Sequence, residues 1–344
     1  MCKLGFFLFL LGSMFSASAQ IKAVEIADIS NIQLSPDSTY SRSIKVNDSV
    51  LYAACSNGAI YLYDFKKEKV SEVFGYEVEE LRDIEIMGNG NVVAMMSGST
   101  GKFVKIGPGS RTSTDEYSVL ENVFLDGMDF SPSGTGALMG DPIDNKFSVF
   151  FSVDFGSSYE EVFPSIEAKS GEAGYAASGT NIQMITDRLF YFVSGGIVSR
   201  LFKVDLSDFD AVKTSNFEIP IQNGEGKGAF SMYFKDSLEG IVVGGDYKNP
   251  KDTLNACFYT LDGGVTWNKP KKSFGGYKSC VIYNPKYKVL FASGRTGVDY
   301  SLDFGQSWRE LTASPMFSLT FFGENLLGTT RNGIIKQIEL KFIE

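Results

Sequence analysis

Seven times along this chain an apolar strand runs into small residues, breaks, and resumes as another strand. The seven strands read Val50-Leu-Tyr-Ala-Ala-Cys-Ser56, Val92-Val-Ala-Met-Met-Ser97, Gly136-Ala-Leu-Met-Gly140, Leu189-Phe-Tyr-Phe-Val-Ser194, Ile241-Val-Val-Gly244, Val289-Leu-Phe-Ala-Ser293 and Leu326-Leu-Gly-Thr329. Their ends are 41, 43, 54, 50, 49 and 36 residues apart. A repeat of that period marks a stacked array of small sheets, in which each unit buries its faces only against its neighbours. Arranging four-stranded sheets around an axis does this and protects the strand edges.

The strands that resume are Ala59–Asp64, Lys102–Ile106, Phe147–Asp154, Arg200–Asp205, Ala256–Asp262, Val298–Asp303 and Ile334–Leu340. The sequence ends soon after the last of these, so the seventh unit lacks a fourth strand. Ile21–Ala27 reads as a strand with no unit of its own. The expected fold is therefore all-β: a seven-bladed β-propeller whose ring is closed by an N-terminal strand. Six or eight blades, or an open solenoid, are the alternatives. With 36 Gly, 29 Phe and 16 Tyr, the composition suits short strands and tight turns.

Lys3, an apolar run from Gly5 to Phe15, and Ala17-Ser18-Ala19 before Gln20 have the layout of a secretory signal. Eleven residues cannot span ~30 Å of hydrocarbon, and no later segment is long enough. The expectation is a signal at 1–19 and one propeller domain at 20–344, exported to a bacterial periplasm or beyond, without a transmembrane span and monomeric. Cys55, Cys257 and Cys280 then remain. Either Cys257 and Cys280 bridge, or all three are buried free thiols.

The chain has no histidine, which removes Ser-His-Asp and Cys-His catalysis and every His-ligated metal. A net charge of −9 without a basic block argues against nucleic acid and anionic lipid. Gly224-Glu-Gly226-Lys-Gly228 lacks the strand–turn–helix context of a phosphate loop, and Gly98-Ser-Thr-Gly-Lys102 lacks the hydroxyl residue after Lys. No metal and no cofactor are expected.

Three turns share the pattern S/T-x-D-x-G-x-S/T-aromatic. They are Ser152-Val-Asp154-Phe-Gly156-Ser-Ser158-Tyr159, Thr260-Leu-Asp262-Gly-Gly264-Val-Thr266-Trp267 and Ser301-Leu-Asp303-Phe-Gly305-Gln-Ser307-Trp308. The carboxylate accepts turn N–H groups, Gly supplies φ > 0, and the aromatic packs the turn on its blade. The pattern resembles the Asp-box, or BNR repeat, of sialidase-like and related propellers, in blades three, five and six. Over the whole chain the sequence looks like exported bacterial propellers related to photosystem II assembly and stability factors. The stretches concerned are Asp126-Gly-Met-Asp-Phe130, Gly140-Asp-Pro142, 171–180 and Gly244-Gly-Asp-Tyr247. The resemblance implies that box turns lie away from the ligand face. Asp154, Gly156, Asp262, Gly264, Trp267, Asp303, Gly305 and Trp308 are then structural.

Strand alternation puts the loops between second and third strands, and the connections between blades, on the opposite face. The candidate ligand-binding residues there are Asp141, Asp144, Glu172, Asp246, Tyr247, Tyr277, Arg295 and Arg331, with Glu172 and Asp141 foremost. Carboxylates with arginines can hold a sugar or a peptide. Two readings follow. One is a non-enzymatic propeller binding a protein or glycan at its axial channel, as an assembly or scaffold factor. The other is a sialidase-like or other glycoside hydrolase, drawing on Arg188, Arg295, Arg331, Tyr277, Glu172 and Asp141. The Phe/Tyr-Arg-Ile-Pro element that precedes the first box in sialidases is absent.

Overall fold

The computed structural model describes residues 21–35, 39–75, 80–98, 100–108 and 114–344. The signal expected at 1–19 lies outside them. Seven antiparallel sheets follow one another along the chain. Blade one is Ser41–Asn47, Val50–Cys55, Ala59–Asp64 and Lys69–Gly75, and blade two is Leu81–Ile86, Val92–Met96, Thr100–Ile106 and Thr114–Glu121. Blade three is Leu125–Phe130, Gly136–Ile143, Lys146–Ser152 and Glu160–Glu161, with Ile166–Glu167 also paired to its third strand. Blade four is Ile182–Thr186, Leu189–Val193, Arg200–Asp205 and Lys213–Glu218. Blade five is Lys227–Phe234, Gly240–Asp246 and Cys257–Thr260, its outer edge reduced to a Tyr259–Asn268 bridge. Blade six is Cys280–Asn284, Val289–Gly294, Gly297–Ser301 and Arg309–Thr312. The first strands touch one another in a closed circle, blade one to blade seven and back to blade one.

Blade seven is Leu319–Phe322, Asn325–Thr329, Ile334–Ile343 and, as its outermost strand, Ala23–Gln33. The pairing runs antiparallel from Ala23 opposite Ile343 to Gln33 opposite Ile334. The N-terminal strand thus supplies the strand that the C-terminal repeat lacks.

The small residues that end the second strands have a steric cause. The first strands of blades one, two, three and five each carry a register shift near the loop end, as between Leu125 and Gly127 and between Ala229 and Ser231. Such bulges push a carbonyl towards the neighbouring strand. A Cβ on Gly140 would lie 2.3 Å from the Phe124 carbonyl oxygen, and one on Gly244 1.9 Å from that of Gly228.

Apolar clusters fill the spaces between consecutive blades, and the three turn motifs seal them. Asp154 accepts from the Ser157 and Ser158 N–H groups, both at 2.9 Å, and from the Ser152 and Ser158 hydroxyls. Asp262 accepts from Thr260 Oγ1, Thr266 N and Thr266 Oγ1, and Asp303 from Ser301 Oγ, Ser307 N and Ser307 Oγ. The glycine N–H groups of Gly156, Gly264 and Gly305 donate to the leading hydroxyls. Trp308 is buried against Phe274, Ile241 and Leu290, in the seam between blades five and six. Trp267 is half-buried between blades four and five, and Tyr159 between blades two and three.

Cys55, Cys257 and Cys280 are buried free thiols, so the alternative of a Cys257–Cys280 bridge is not realised. Apart from a single 3₁₀ turn at Phe209–Ala211, the described residues hold no helix, and none is long and apolar enough to cross a membrane.

Trp308→Ala empties a sealed seam and is expected to destabilise the protein by about 3–5 kcal/mol. Trp267→Ala is expected to cost less, because that ring is partly solvated. Urea unfolding of the two variants checks the order.

Candidate functional site

A cavity of about 630 Å³ opens at the end of the axis where the chain passes from blade to blade. Its wall is built from the first residues of the innermost strands, the inter-blade connections and the loops after the second strands. Charge is concentrated on the side of blades one to three, and stacked rings on the side of blades four to six.

On the charged side, Glu80 stands between two guanidinium groups. Its Oε2 lies 2.6 Å from Arg82 Nη2, and its Oε1 lies 3.6 Å from Arg42 Nε. Arg82 also donates to the Ala176 carbonyl oxygen at 3.3 Å. Asp141 accepts from the Gly174 N–H at 3.0 Å. Asp126 is buried beside it. Burial first, and then the neighbouring Asp141, push the Asp126 carboxyl well above the usual range, against Arg82 and the Ala176 N–H. Burial raises Asp141 as well. Each guanidinium lies over a ring: Arg42 on Tyr40 at 4.9 Å and Arg82 on Phe124 at 5.9 Å.

On the aromatic side, Tyr175 stacks on Phe230 with centroids 4.0 Å apart and planes 4° from parallel. Tyr277 and Tyr247 meet Phe230 edge-on at 4.8 and 6.3 Å. The Tyr175 hydroxyl donates to the Lys227 carbonyl oxygen at 2.9 Å, and Arg295 Nη1 donates to that of Tyr247 at 3.0 Å. Burial pushes Tyr175 up to about 12 and raises Tyr277 further, so neither phenol is poised as a nucleophile.

Of the residues expected at the site, Asp141, Tyr247, Tyr277, Arg295 and Arg331 line this cavity. Glu172 does not. It is sealed in an ion pair: Arg200 Nε donates to Oε1 at 2.9 Å, Arg200 Nη2 and the Ser194 hydroxyl add further bonds, and the Lys169 N–H donates to Oε2 at 2.8 Å. With both oxygens occupied, it ties the connection between blades three and four to blade four. Asp246 is buried and caps its own loop, accepting from the Lys248 and Asn249 N–H groups, with Lys227 Nζ 3.3 Å away. Asp144 sits at an exposed hairpin tip with φ 51°. Arg188 lies at the opposite end of blade four, over the Phe209 ring at 4.4 Å. The arginine trio of the hydrolase reading is therefore not assembled.

Arg42, Arg82, Asp126, Tyr175 and Phe230 are cavity residues that the loop-based reading passed over. Most of them enter the innermost strands rather than the loops. A repeated aromatic-x-polar step marks several of these entries: Tyr40-x-Arg42, Phe124-x-Asp126 and Tyr277-x-Ser279.

Three residues deeper along the same strands lie Lys45, Glu85 and Asp129, with Asp83 beside them. Lys45 pairs with Glu85, while Asp83 accepts from the Ile84 and Met128 N–H groups at 2.9 Å. One ammonium faces three carboxylates. Despite burial, Glu85, Asp129 and Asp83 hold Lys45 protonated. Burial, countered by Lys45 but reinforced by the other carboxylates, pushes Glu85 up to about 8 and Asp129 up to about 6. Among the described residues no group of three or more Cys, Asp or Glu side chains is set to hold a metal ion.

Fold and mouth together define a seven-bladed β-propeller with an aromatic and arginine-lined axial cavity. No protein-family model matches the sequence, and no curated protein matches it. Solved structures do share its fold. The WD40 β-propeller domain of Doa1 superposes with a TM-score of 0.65 at 10% identity, covering 92% of this chain and 96% of that one. YCF48 bound to a D1 peptide gives a TM-score of 0.60 at 12% identity, over 94% and 98%. The computationally designed Ika8 protein gives 0.54 at 11%, over 89% and 98%.

Glu85 and Asp129 bind protons more tightly folded than unfolded, so their contribution is intact below the ordinary carboxyl values of 4.5 and 3.8 and is lost as pH rises towards 8. Denaturant titrations at pH 5 and pH 8.5 are expected to show lower stability at the higher pH, by on the order of 2 kcal/mol, with the difference reduced in Glu85→Gln. Glu172→Ala strands a buried guanidinium and is expected to destabilise the fold by about 3–5 kcal/mol, read from the same titration.

Proposed function

We propose that this chain is an exported, monomeric, non-enzymatic β-propeller that binds a segment of a partner protein at its axial mouth, as an assembly or scaffold factor. The observation that carries the reading is the composition of the mouth. Tyr40, Phe124, Tyr175, Phe230, Tyr247, Tyr277 and Phe317 share one cavity with Arg42, Arg82, Arg295 and Arg331. Tyrosine, phenylalanine and arginine are the residues enriched at protein interfaces. A propeller of similar fold, YCF48, is known bound to a D1 peptide, which supports a peptide ligand here. The three aspartate turns belong to this reading as Asp-box turns that brace the blades on the far face.

A glycan is the alternative ligand, and glycoside hydrolysis the alternative activity. The observation that favours it is the Asp126–Asp141 carboxyl pair at the cavity. On the main reading, a panel of fluorogenic glycosides shows no turnover by the folded protein.

A photo-crosslinking amino acid at position 331, on the mouth, is expected to capture a defined peptide of one partner from an extract of the source cells. The same group at position 153, exposed on the opposite face, is expected to capture none. Equal capture at both positions, or none at 331, sinks the proposal.

A further inference from the structure

The chemistry of the mouth also selects among peptides. We infer, resting on the peptide-binding reading above, that the mouth is a receptor for an aromatic side chain, a Trp, Tyr or Phe projecting from an extended partner segment. Most charged groups of the mouth are already engaged. Arg42 and Arg82 share Glu80, Arg82 also holds the Ala176 carbonyl, and Arg295 holds that of Tyr247. Asp141 is engaged by the Gly174 N–H. Along blades one to three the signs alternate: Arg42, Glu80, Arg82, Asp126. A cation entering there meets Arg82, and an anion meets Asp126 and Asp141. On that side neither charge gains a clear partner, while Arg295 and Arg331 line the mouth apart from it, beside blades six and seven.

The ring surfaces, by contrast, are incomplete. Phe230 is buried at the centre of an edge-to-face cluster, with Tyr175 stacked on it and Tyr277 and Tyr247 against its edges. Tyr175 and Tyr247 are only half-buried, and both line the cavity. On the charged side Tyr40, Phe124 and Phe317 are also half-buried cavity residues, and the Arg42 and Arg82 guanidinium carbons lie over the first two of them at 4.9 and 5.9 Å. An inserted ring extends the edge-to-face cluster on one side and meets guanidinium groups on the other. A cavity of about 630 Å³ admits such a side chain with its flanking backbone.

The test uses a displayed library of random linear peptides selected on the purified full-length protein, followed by affinity measurements on synthetic copies of the selected sequences. The expected result is a shared aromatic position whose replacement by Ala weakens binding at least roughly tenfold, as for a buried anchor. Tyr175→Ala is expected to weaken the same peptides to a similar extent. Tyr175→Phe keeps the ring and is expected to retain binding, which separates lost stacking from the lost hydroxyl bond. Circular dichroism and melting of each variant verify the fold; if Tyr175→Ala fails to fold, Phe124→Ala takes its place. Peptides that depend on Tyr175 or Phe124 but tolerate loss of their own aromatic residue overturn this inference alone. Peptides indifferent to both positions, or a selection that yields none, overturn the peptide-binding reading with it.

Discussion

Everything in this molecule rests on one strand pairing, between Ala23–Gln33 and Ile334–Ile343. The other six blades are made of strands that follow one another closely in sequence. Only the seventh joins the two ends of the described chain. Without that pairing the last sheet ends in an unpaired strand, and an exposed edge of that length invites association with other chains. The circle of first strands that forms the mouth has its diameter fixed by this closure. The pairing also carries the largest sequence separation among the described residues, so it is the costliest to close in loop entropy.

The parts of the fold legible in the sequence were those written locally. Second strands end in small residues because bulged carbonyls approach them, and Gly140 and Gly244 leave that trace directly. The aspartate turns were legible because every bond in them lies within a few residues of the aspartate. The supply of a seventh outer strand by the N-terminus followed from counting strands. The site was legible only in part. Tyr277, Arg295 and Arg331 line the cavity because loop position alone sets the face they stand on. Glu172 stands away from the cavity because Arg200, 28 residues on in blade four, pairs with it, and nothing near it in the sequence marks that pairing. Arg42, Arg82, Asp126 and Phe230 escaped because they stand inside strands, where a side chain's exposure depends on how the ring closes.

The connection between blades three and four shows how an irregular segment becomes part of the wall. Glu172–Ala173 pairs with Gly195–Gly196, and Gly195 pairs in turn with Gly228 of blade five. Asp141 and Arg82 hold its backbone from blades two and three, Tyr175 leans on blade five, and the Ser178 hydroxyl reaches the Ser279 carbonyl oxygen at the entry to blade six at 2.7 Å. One segment of about ten residues touches five blades. The wall of the cavity is thereby held by the same bonds that hold the blades in register, so the shape of the mouth and the stability of the ring are coupled.

The three buried thiols have a consequence of a different kind. Burial raises all of them, Cys55 up to about 12, so in the folded ring they are neither nucleophilic nor reachable. They sit in blades one, five and six, on the two sides of the closure. Among the described residues no disulfide has to form for the ring to close. Each thiol also reports on its own blade, because alkylation at Cys55, Cys257 or Cys280 requires that sheet to open. The relative labelling rates at the three positions would show whether the ring comes apart at its seam or all at once.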